Sequence, residues 1–367
     1  MLFMLHEIRL CVIIRIECNE RRITMQYEHA HTLMLAEQEV FHFDMTTYEY
    51  EMIDRSLVPH AISRASGNLV YALRTWLQER AIQVNRSNKD KILKACGMSG
   101  AYDILTLITR YRALSLLDNY WIKGYDEDVR YADVNLYENS FSRAMYSVAL
   151  YGAEGITIQG ATPEINQRGT MAKAYKRTNG GIYLYKTGIA DKIRTELFAS
   201  KVAQYCDMSS VEYRNVHTKH SNCVRCRLET STQIGWIPAK DITNSGRNPV
   251  ELAKELSPQR YHEMRIFDYI AGNTDRHNEN WAFEVDNRNR ILGLSRMYDF
   301  DNCFCADDTT TSHIDLKPLK KAALQSFPVI GDTQYFTRLK AFLRSCRQRD
   351  LAAYVLERVR ILEQSIS

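Results

Sequence analysis

The sequence lacks the features that mark several classes of protein. Its 367 residues include only 7 prolines, and 45% of them are hydrophobic and 25% charged, so long disordered tails are not expected. It contains no internal repeat and no low-complexity tract. No stretch approaches the roughly 18 uninterrupted apolar residues of a membrane span, since Arg15 already breaks the early apolar run. We therefore predict a soluble globular protein with no membrane partner.

Neither charge nor cysteine content indicates a special partner. The 48 Lys+Arg against 44 Asp+Glu leave a net charge of only +4, which gives no strong nucleic-acid signal. The nine cysteines are an odd number, and they are scattered along the chain. His6, Glu7 and Arg9 interrupt the apolar residues where a secretory signal would lie. We therefore expect reduced thiols and a cytoplasmic protein.

The first 150 residues form a predicted N-terminal region to which no motif assigns a function. Residues 8–18 and 23–27 are rich in β-branched side chains, which predicts a short pair of strands. The pattern becomes helical from about residue 67, beginning with LVYALRTWLQER, and Ser87 and Ser99 are predicted N-caps of further helices. The region is therefore predicted to be mostly helical, with a short strand pair.

The residue pattern changes near residue 151 from helical to glycine-rich and strand-like. Residues 151–230 predict strands with one helix, for which Asp191 is the expected N-cap. Residues 231–367 are predicted to be mostly helical, with one helix that begins at Ser257-Pro258. The chain is long for a single hydrophobic core, so two lobes are expected. The predicted fold class is α+β.

The most informative stretch runs from Tyr269 to Phe304. Asp275 stands five residues before Asn280, and a predicted hairpin then leads to Asp299. Phosphoryl transfer from ATP needs one carboxylate to orient the attacking hydroxyl and take its proton. It also needs an amide oxygen and a second carboxylate to hold magnesium. Because the ends of a hairpin lie side by side, Asn280 and Asp299 should be close together, and the spacing favours a phosphotransferase.

Upstream segments contain candidate nucleotide-binding components. A glycine-containing loop at residues 155–164 would let backbone N–H groups approach phosphate oxygens. Its candidate nucleotide contacts are Thr157, Gly160, Ala161 and Thr162. Lys186 ends an alternating strand from which it would reach the α- and β-phosphates, and Glu196 on the next helix would hold it by an ion pair. The ordinary alternatives are a plain turn, a solvated lysine and a surface carboxylate.

The segments GNTDRHNEN and YDFDN resemble the catalytic and metal-binding loops of the HipA-like serine/threonine kinases. The pattern of that family is a D-x-H-x-x-N loop followed by a Tyr-Asp turn. TIQGATPE resembles its phosphate-binding loop, and YLYKTG resembles its lysine-bearing strand. The resemblance covers about residues 150–345. It implies a two-lobed protein-kinase-like fold, with an N-lobe at residues 151–230 and a C-lobe at residues 231–367.

The resemblance also implies roles for the matched residues. The catalytic set would be Asp275 as the base, together with Lys186, Glu196 and His277. Magnesium would be held by Asn280 and Asp299, and Lys186 would contact the phosphates of ATP. The strand that links the lobes, near the adenine, would contain Cys226, Leu228 and Glu229. One departure is Glu164, which stands where the family commonly has a lysine and removes a positive charge near the phosphate loop.

The family implies a bacterial toxin or regulatory kinase, with a protein substrate of unknown identity and an antitoxin or regulatory partner. Thr157 occupies the position of an autophosphorylated serine in the family's prototype. We therefore hypothesise that Thr157 is phosphorylated and that the added charge expels the loop from its nucleotide-bound position.

Other interpretations remain open at this point. The fold would also suit a kinase that acts on a lipid or small-molecule hydroxyl, or a catalytically silent interaction module. Separately, HTKHSNCVRC places His217, His220, Cys223 and Cys226 at intervals of three, as candidate zinc ligands. That spacing is compressed for a zinc finger, and alternation along a strand would point His217 and His220 to opposite faces. The ordinary alternative is a hairpin.

Overall fold

The structure is a computed structural model that describes residues 30–98, 103–217, 222–304, 317–330 and 336–365. The strand pair expected at residues 8–27 and the helix cap expected at Ser99 lie outside these ranges. The described residues form three antiparallel sheets with helices packed around them. None of the described helices is both long and apolar enough to cross a membrane.

The N-terminal region contains a four-stranded sheet that the sequence analysis did not predict. Its strands are β1 (Ala30–Leu35), β2 (Gln38–Asp44), β3 (Tyr50–Met52) and β4 (Tyr120–Gly124), in the order β3-β2-β1-β4. The buried face carries Leu33, Phe41 and Phe43, which pack with Leu73 and Leu77 of the first helix. This apolar layer joins the sheet to the helices of the region.

The helices of the N-terminal region are α1 (Leu69–Arg80), α2 (Lys89–Ala95), α3 (Ile104–Arg110), α4 (Tyr131–Val134) and α5 (Ala144–Tyr151). The predicted first helix is confirmed, and the side chain of Asn68 caps it by accepting from two backbone N–H groups. The cap predicted at Ser87 is wrong. Asn88 in a left-handed conformation precedes α2, while the N–H of Ser87 donates to Thr170 O at 2.8 Å.

The N-lobe is a second four-stranded sheet with one long helix. Its strands are β5 (Ala172–Thr178), β6 (Gly181–Thr187), β7 (Arg214–His217) and β8 (Asn222–Arg227), in the order β5-β6-β8-β7. The helix α6 (Ala190–Tyr205) follows β6. Its predicted N-cap, Asp191, is wrong because Ile189 holds that position, and Asp191 lies in the first turn, where a negative charge suits the helix dipole.

The C-lobe is mostly helical and contains a three-stranded sheet. Its strands are β9 (Ile234–Pro238), β10 (Ala282–Asp286) and β11 (Ile291–Leu294), in the order β11-β10-β9. Its described helices are α7 (Ala239–Asn244), α8 (Pro249–Leu256), α9 (Pro258–Ile270), α10 (Lys317–Ile330), α11 (Thr337–Ser345) and α12 (Arg349–Gln364). The predicted hairpin after the catalytic motif is confirmed, and so is the start of α9 at Pro258.

Residues 114–120, which we call the bracing loop, connect the N-terminal region to both lobes. The carbonyl oxygen of Leu116 accepts a 2.6 Å hydrogen bond from Thr230, which lies on the connector between the lobes. The carbonyl oxygen of Leu117 accepts a 2.6 Å bond from the N–H of Trp236 in the C-lobe. The carbonyl oxygen of Leu114 accepts from Asn166, just before the N-lobe sheet. The N-terminal region is therefore packed against the whole two-lobed body.

Candidate active site

The side chain of Lys186 lies at the centre of a buried ionic cluster. Strand β6 delivers Lys186, and α6 presents Glu196 on its buried side. The Lys186 ammonium lies 2.6 Å from Oε1 of Glu196 and 2.9 Å from Oδ1 of Asp299. It also lies 5.0 Å from the ring centroid of Tyr213. The lysine–glutamate pair that the sequence predicted is therefore formed, and it includes Asp299 as a third member.

Burial and ion pairing have opposite effects on the pKa values of this cluster. Burial acts to lower the pKa of Lys186, but Asp299 and Glu196 outweigh it and hold that pKa above its ordinary value. Burial acts to raise the pKa of Asp299, but Lys186 and Lys173 outweigh it and lower the pKa to about 2. Asp299 is therefore an ionised carboxylate at neutral pH. Its side chain is 35% exposed, so it is accessible to a cation from solvent.

The candidate catalytic motif forms a loop after α9, in which Asp275 is hydrogen-bonded to two asparagine side chains. Oδ2 of Asp275 accepts hydrogen bonds from the side-chain amides of Asn280, at 3.1 Å, and Asn302, at 2.8 Å. The Asn280 amide also donates to the carbonyl oxygen of Asp275. These bonds use the side-chain nitrogen of Asn280 and not its side-chain oxygen, the candidate metal ligand. His277 lies at the rim, with Nε2 3.8 Å from the other carboxylate oxygen of Asp275.

Asn302 is a site residue that sequence reasoning missed. Its amide oxygen accepts a 3.1 Å hydrogen bond from Lys192 on α6, and the same lysine forms a 2.9 Å ion pair with Asp301. The signal was its position three residues after Asp299, which puts it in the same short turn. This turn brings the candidate metal ligand and the candidate base together. Asp299 itself has φ +61°, a left-handed conformation in which aspartate is favoured over most residues.

A buried ion pair beneath the loop fixes the course of its backbone. Arg276 Nε donates to Oδ1 of Asp268 at 3.2 Å, and both side chains are almost fully buried. The guanidinium also donates to the carbonyl oxygens of Asn280, at 2.5 Å, and Tyr298, at 3.0 Å. One arginine thus bonds the backbone on both sides of the site.

We expect Arg276→Met to lower the free energy of unfolding by about 3–5 kcal/mol, because the buried carboxylate of Asp268 loses its nearest charged partner and keeps Arg265, at 4.0 Å. Urea denaturation followed by circular dichroism measures this change. Arg288→Met, at an exposed position of the C-lobe hairpin, is the matched control and should stay within about 0.5 kcal/mol of wild type. Equal losses in the two variants would contradict the assigned role of Arg276.

The predicted phosphate loop lies against the N-terminal region in this structure. Thr157 and Gly160 are exposed, Ala161 is half-buried, and Thr162 is buried. The N–H of Ile158 donates to the carbonyl oxygen of Ala95 at 2.8 Å. Gly160 and Ala161 border a cavity of about 310 Å³ whose other walls include Arg110, Tyr111 and Arg112. Within the described residues, no hydrogen bond joins this loop to the Lys186 cluster, so its nucleotide contacts remain a prediction.

Glu164 is buried at the end of that loop and has a structural environment. Its Oε1 accepts a 2.8 Å hydrogen bond from the N–H of Tyr175 on β5, and its Oε2 accepts a 2.5 Å bond from the hydroxyl of Thr162. The guanidinium of Arg86 donates to the carbonyl oxygen of Glu164. Burial raises the pKa of Glu164, although these two hydrogen bonds and Arg86 oppose that change. This carboxyl therefore fastens the loop to the sheet.

We expect Glu164→Lys to destabilise the protein by about 2–4 kcal/mol, because it leaves two buried donors unpaired and places a charge beside Arg86. The midpoint of urea denaturation measures this change. Gln159→Lys adds the same charge at an exposed position of the same loop and should leave the midpoint unchanged. A stable Glu164→Lys protein with tighter ATP binding would contradict a structural role for Glu164.

The residues predicted near the adenine lie where the two lobes are joined. Cys226 is buried on β8, and burial raises the pKa of its thiol to about 12. Leu228 follows the strand, and its N–H donates to Ile182 O at 2.9 Å. Glu229 forms a 3.4 Å ion pair with Arg296 of the C-lobe. Both the position of these residues on a segment that links the lobes and their contact with a nucleotide base stay predictions.

The two cysteines among the candidate zinc ligands lie in different apolar clusters. Cys223 packs in the apolar cluster shared with α2 and α5, whereas Cys226 packs in the main cluster shared with α6 and α9. Residues three apart on a strand face opposite sides, which explains this separation. His220 lies outside the described residues. Among the residues that the structure describes, no three His, Cys, Asp or Glu side chains form a metal-binding group, and all six cysteines are free.

A comparison with solved structures places the fold. HipA of Shewanella oneidensis MR-1, from a toxin–antitoxin complex of HipA, HipB and operator DNA, aligns with a TM-score of 0.51 at 12% identity, over 90% of this chain and 95% of that chain. CtkA, a proinflammatory kinase of Helicobacter pylori, aligns with a TM-score of 0.41 at 15% identity, over 55% of this chain and 94% of that chain. No family model and no curated protein sequence matches.

The likeness to HipA shows the fold, so the predicted two-lobed, kinase-like α+β architecture is confirmed. An alignment over 90% of the chain is longer than residues 151–367 can supply, so it extends into the N-terminal region. The shared architecture therefore includes at least part of that region as well as the two lobes.

Proposed function

We propose that the protein is an ATP- and magnesium-dependent kinase that phosphorylates serine or threonine hydroxyls of another protein. One observation carries this proposal. A lysine paired with a helix glutamate and an ionised aspartate forms one bonded group, an aspartate bonded to two asparagines forms a second, and the short turn from Asp299 to Asn302 belongs to both. Phosphoryl transfer requires these groups together, because its catalysis consists of positioning and charge stabilisation.

The donor set suits magnesium and a nucleotide. Asp299 supplies an ionised, partly exposed carboxylate, and Asn280 supplies a side-chain oxygen whose amide nitrogen is bonded elsewhere. Oxygen ligands of this kind are the ones that Mg²⁺ takes in kinase sites. The bound metal would neutralise charge on the phosphates. Lys186 would then bind phosphate oxygens while Glu196 keeps its ammonium in place.

Asp275 would orient the acceptor hydroxyl and take its proton. Its side chain is 42% exposed, so an acceptor can approach it. Two amide donors fix Oδ2, which leaves Oδ1 directed to the acceptor side, near His277. A fixed carboxylate lowers the cost of aligning base and hydroxyl.

Radiolabelled ATP given to the wild type and to Asp275→Ala tests this proposal. Magnesium-dependent label on protein, lost in the variant, supports it. Label found only on an added lipid or metabolite would assign the activity to a small-molecule kinase. The absence of magnesium-dependent ATP binding in folded wild-type protein would leave a silent interaction module and overturn the proposal.

We extend the proposal to the partner and the cellular role. HipA in the structure above is bound to HipB and operator DNA. By analogy, we propose that this chain is a cytoplasmic bacterial toxin or regulatory kinase with an antitoxin-type protein partner. Growth arrest on expression of wild type, absent with Asp275→Ala, would support the toxin role. A phosphoproteome comparison of the two strains would identify the protein substrate.

We expect ATP-dependent phosphorylation of Thr157, because this threonine is exposed. The added charge would hold the loop away from the nucleotide phosphates by repulsion. Mass spectrometry after incubation with MgATP measures the modification, and Asp275→Ala is the control. An active protein with unmodified Thr157 would remove this hypothesis.

A further inference from the structure

Two lysines lie directly opposite each other at the candidate nucleotide site. Lys173 on β5 pairs in register with Lys186 on β6. Directly opposite residues of an antiparallel pair point to the same face, with Cβ atoms roughly 5 Å apart. Like charges at such a pair destabilise a sheet. A negatively charged group on that face of the sheet would therefore stabilise the pair.

The two carboxylates near these lysines both form ion pairs with Lys186. Glu196 and Asp299 both form ion pairs with its ammonium. Within the described part of the chain, the ammonium of Lys173 forms no hydrogen bond and no ion pair. Burial and the charge of Lys186 lower the pKa of Lys173 to about 8, although Asp299 opposes this. The second cation is thus held beside the site without a partner of its own.

A glycine lies beside the ammonium of Lys173, where a larger residue would collide with it. Gly169, at φ +94°, lies beside it, and a Cβ at that position would come within 2.1 Å of Nζ of Lys173. Arg86 donates a 2.7 Å hydrogen bond to the carbonyl oxygen of Lys173, which fixes the strand at that point. The backbone of Lys173 is therefore fixed, and its side chain is half-buried beside Gly169.

We propose that Lys173 is a second phosphate-binding residue of the site, whose ammonium binds the polyphosphate chain of the nucleotide beside Lys186. This inference rests on the proposed kinase function. Burial raises the pKa of Glu196 while Lys186 opposes that change; with all three groups ionised, the charges of Lys186, Glu196 and Asp299 sum to one negative charge, which repels a triphosphate. Lys173 and a bound metal ion reverse that sign. The residue thereby favours nucleotides that carry a polyphosphate over nucleoside monophosphates.

Lys173→Met and Lys173→Arg test the inference, with Lys176→Met, on the exposed part of the same strand, as the control. Isothermal titration calorimetry with magnesium measures the affinities for ATP and AMP. We expect Lys173→Met to weaken ATP binding about tenfold or more, the effect of losing a charged hydrogen bond, while AMP binding changes less than about twofold. Lys173→Arg should retain most of the ATP affinity, and Lys176→Met should match the wild type.

Thermal denaturation supplies a second readout. We expect Lys173→Met to unfold at or above the wild-type temperature, because the substitution removes repulsion between the paired lysines. Unchanged ATP affinity in Lys173→Met, or equal losses for ATP and AMP, would overturn the inference while leaving the proposed function in place. A melting temperature well below that of the wild type would assign Lys173 a structural role and overturn it too. Failure of the wild type to bind MgATP would instead overturn the proposed function.

Discussion

Asp275→Ala is expected to lower phosphate transfer by about 10²–10⁴-fold, the range typical for loss of a general base. The reason lies in the geometry of its carboxylate, in which Asn280 and Asn302 hold one oxygen and leave the other for the acceptor hydroxyl. Alanine removes the proton acceptor without touching the Lys186 cluster. Steady-state kinetics with the protein substrate, or autophosphorylation rates, would measure the loss in kcat.

The affinity for MgATP provides the internal control for this prediction. It should change less than about threefold in Asp275→Ala, because the base does not hold the nucleotide in the proposed mechanism. Asp126→Asn removes an exposed carboxylate far from the catalytic loop in sequence and should leave both rate and affinity unchanged. Full transfer activity in Asp275→Ala would refute the assignment of the base.

Asp299→Asn is expected to weaken magnesium-dependent nucleotide binding by about tenfold or more, because it removes the ionised ligand from the site. Asparagine is the appropriate replacement here. It keeps the shape of the side chain, and it tolerates the left-handed conformation that Asp299 adopts at φ +61°. Alanine would add backbone strain, so a weaker nucleotide affinity could then result either from the lost ligand or from a changed local structure.

Nucleotide titrations with magnesium and with EDTA distinguish this role from others. Wild-type affinity should fall when magnesium is removed, whereas Asp299→Asn should respond little, since its metal ligand is already lost. Lys186 keeps Glu196 as a partner in the variant, so the fold should persist. Equal nucleotide affinities in Asp299→Asn and Asp275→Ala would undermine the separation of metal binding from proton acceptance.

Local patterns in the sequence predicted the elements that carry the site. The alternation before Lys186, the helix that bears Glu196 and the hairpin between Asn280 and Asp299 each depend on neighbours within about 20 residues, and each is present. The spacing of apolar residues distinguishes a strand from a helix, and the residue types of a turn mark where a hairpin reverses. These local signals are sufficient to predict such elements. The individual roles assigned to these residues stay predictions.

Contacts between distant parts of the chain could not be predicted in this way. Strand β4 pairs with β1 across a long intervening segment, so no hairpin signal marks it. The bond from Lys192 to Asn302 likewise joins residues that are 110 positions apart. In the sequence, Glu164 is notable only as the loss of a positive charge from the phosphate loop. Its hydrogen bonds with the N–H of Tyr175 and with Arg86 could not be predicted, because only folding brings these groups to it.

The helix caps were misassigned for a related reason. Ser87 and Asp191 are residue types that favour N-caps, but type alone does not fix which residue of a short polar segment enters the helix first. The N–H of Ser87 is used in a bond to Thr170, which leaves the next residue to begin the turn. The caps observed lie one residue after Ser87 and two residues before Asp191.

Helix α6 connects the two halves of the site through side chains one turn apart. Lys192 and Glu196 lie four residues apart and hence on the same face, where one reaches the turn that steadies Asp275 and the other holds Lys186. A rotation of this helix would release the base and the nucleotide lysine at once. In the proposed kinase, phosphate transfer should therefore depend on the position of α6, and a partner that binds this helix would inhibit transfer without entering the cleft.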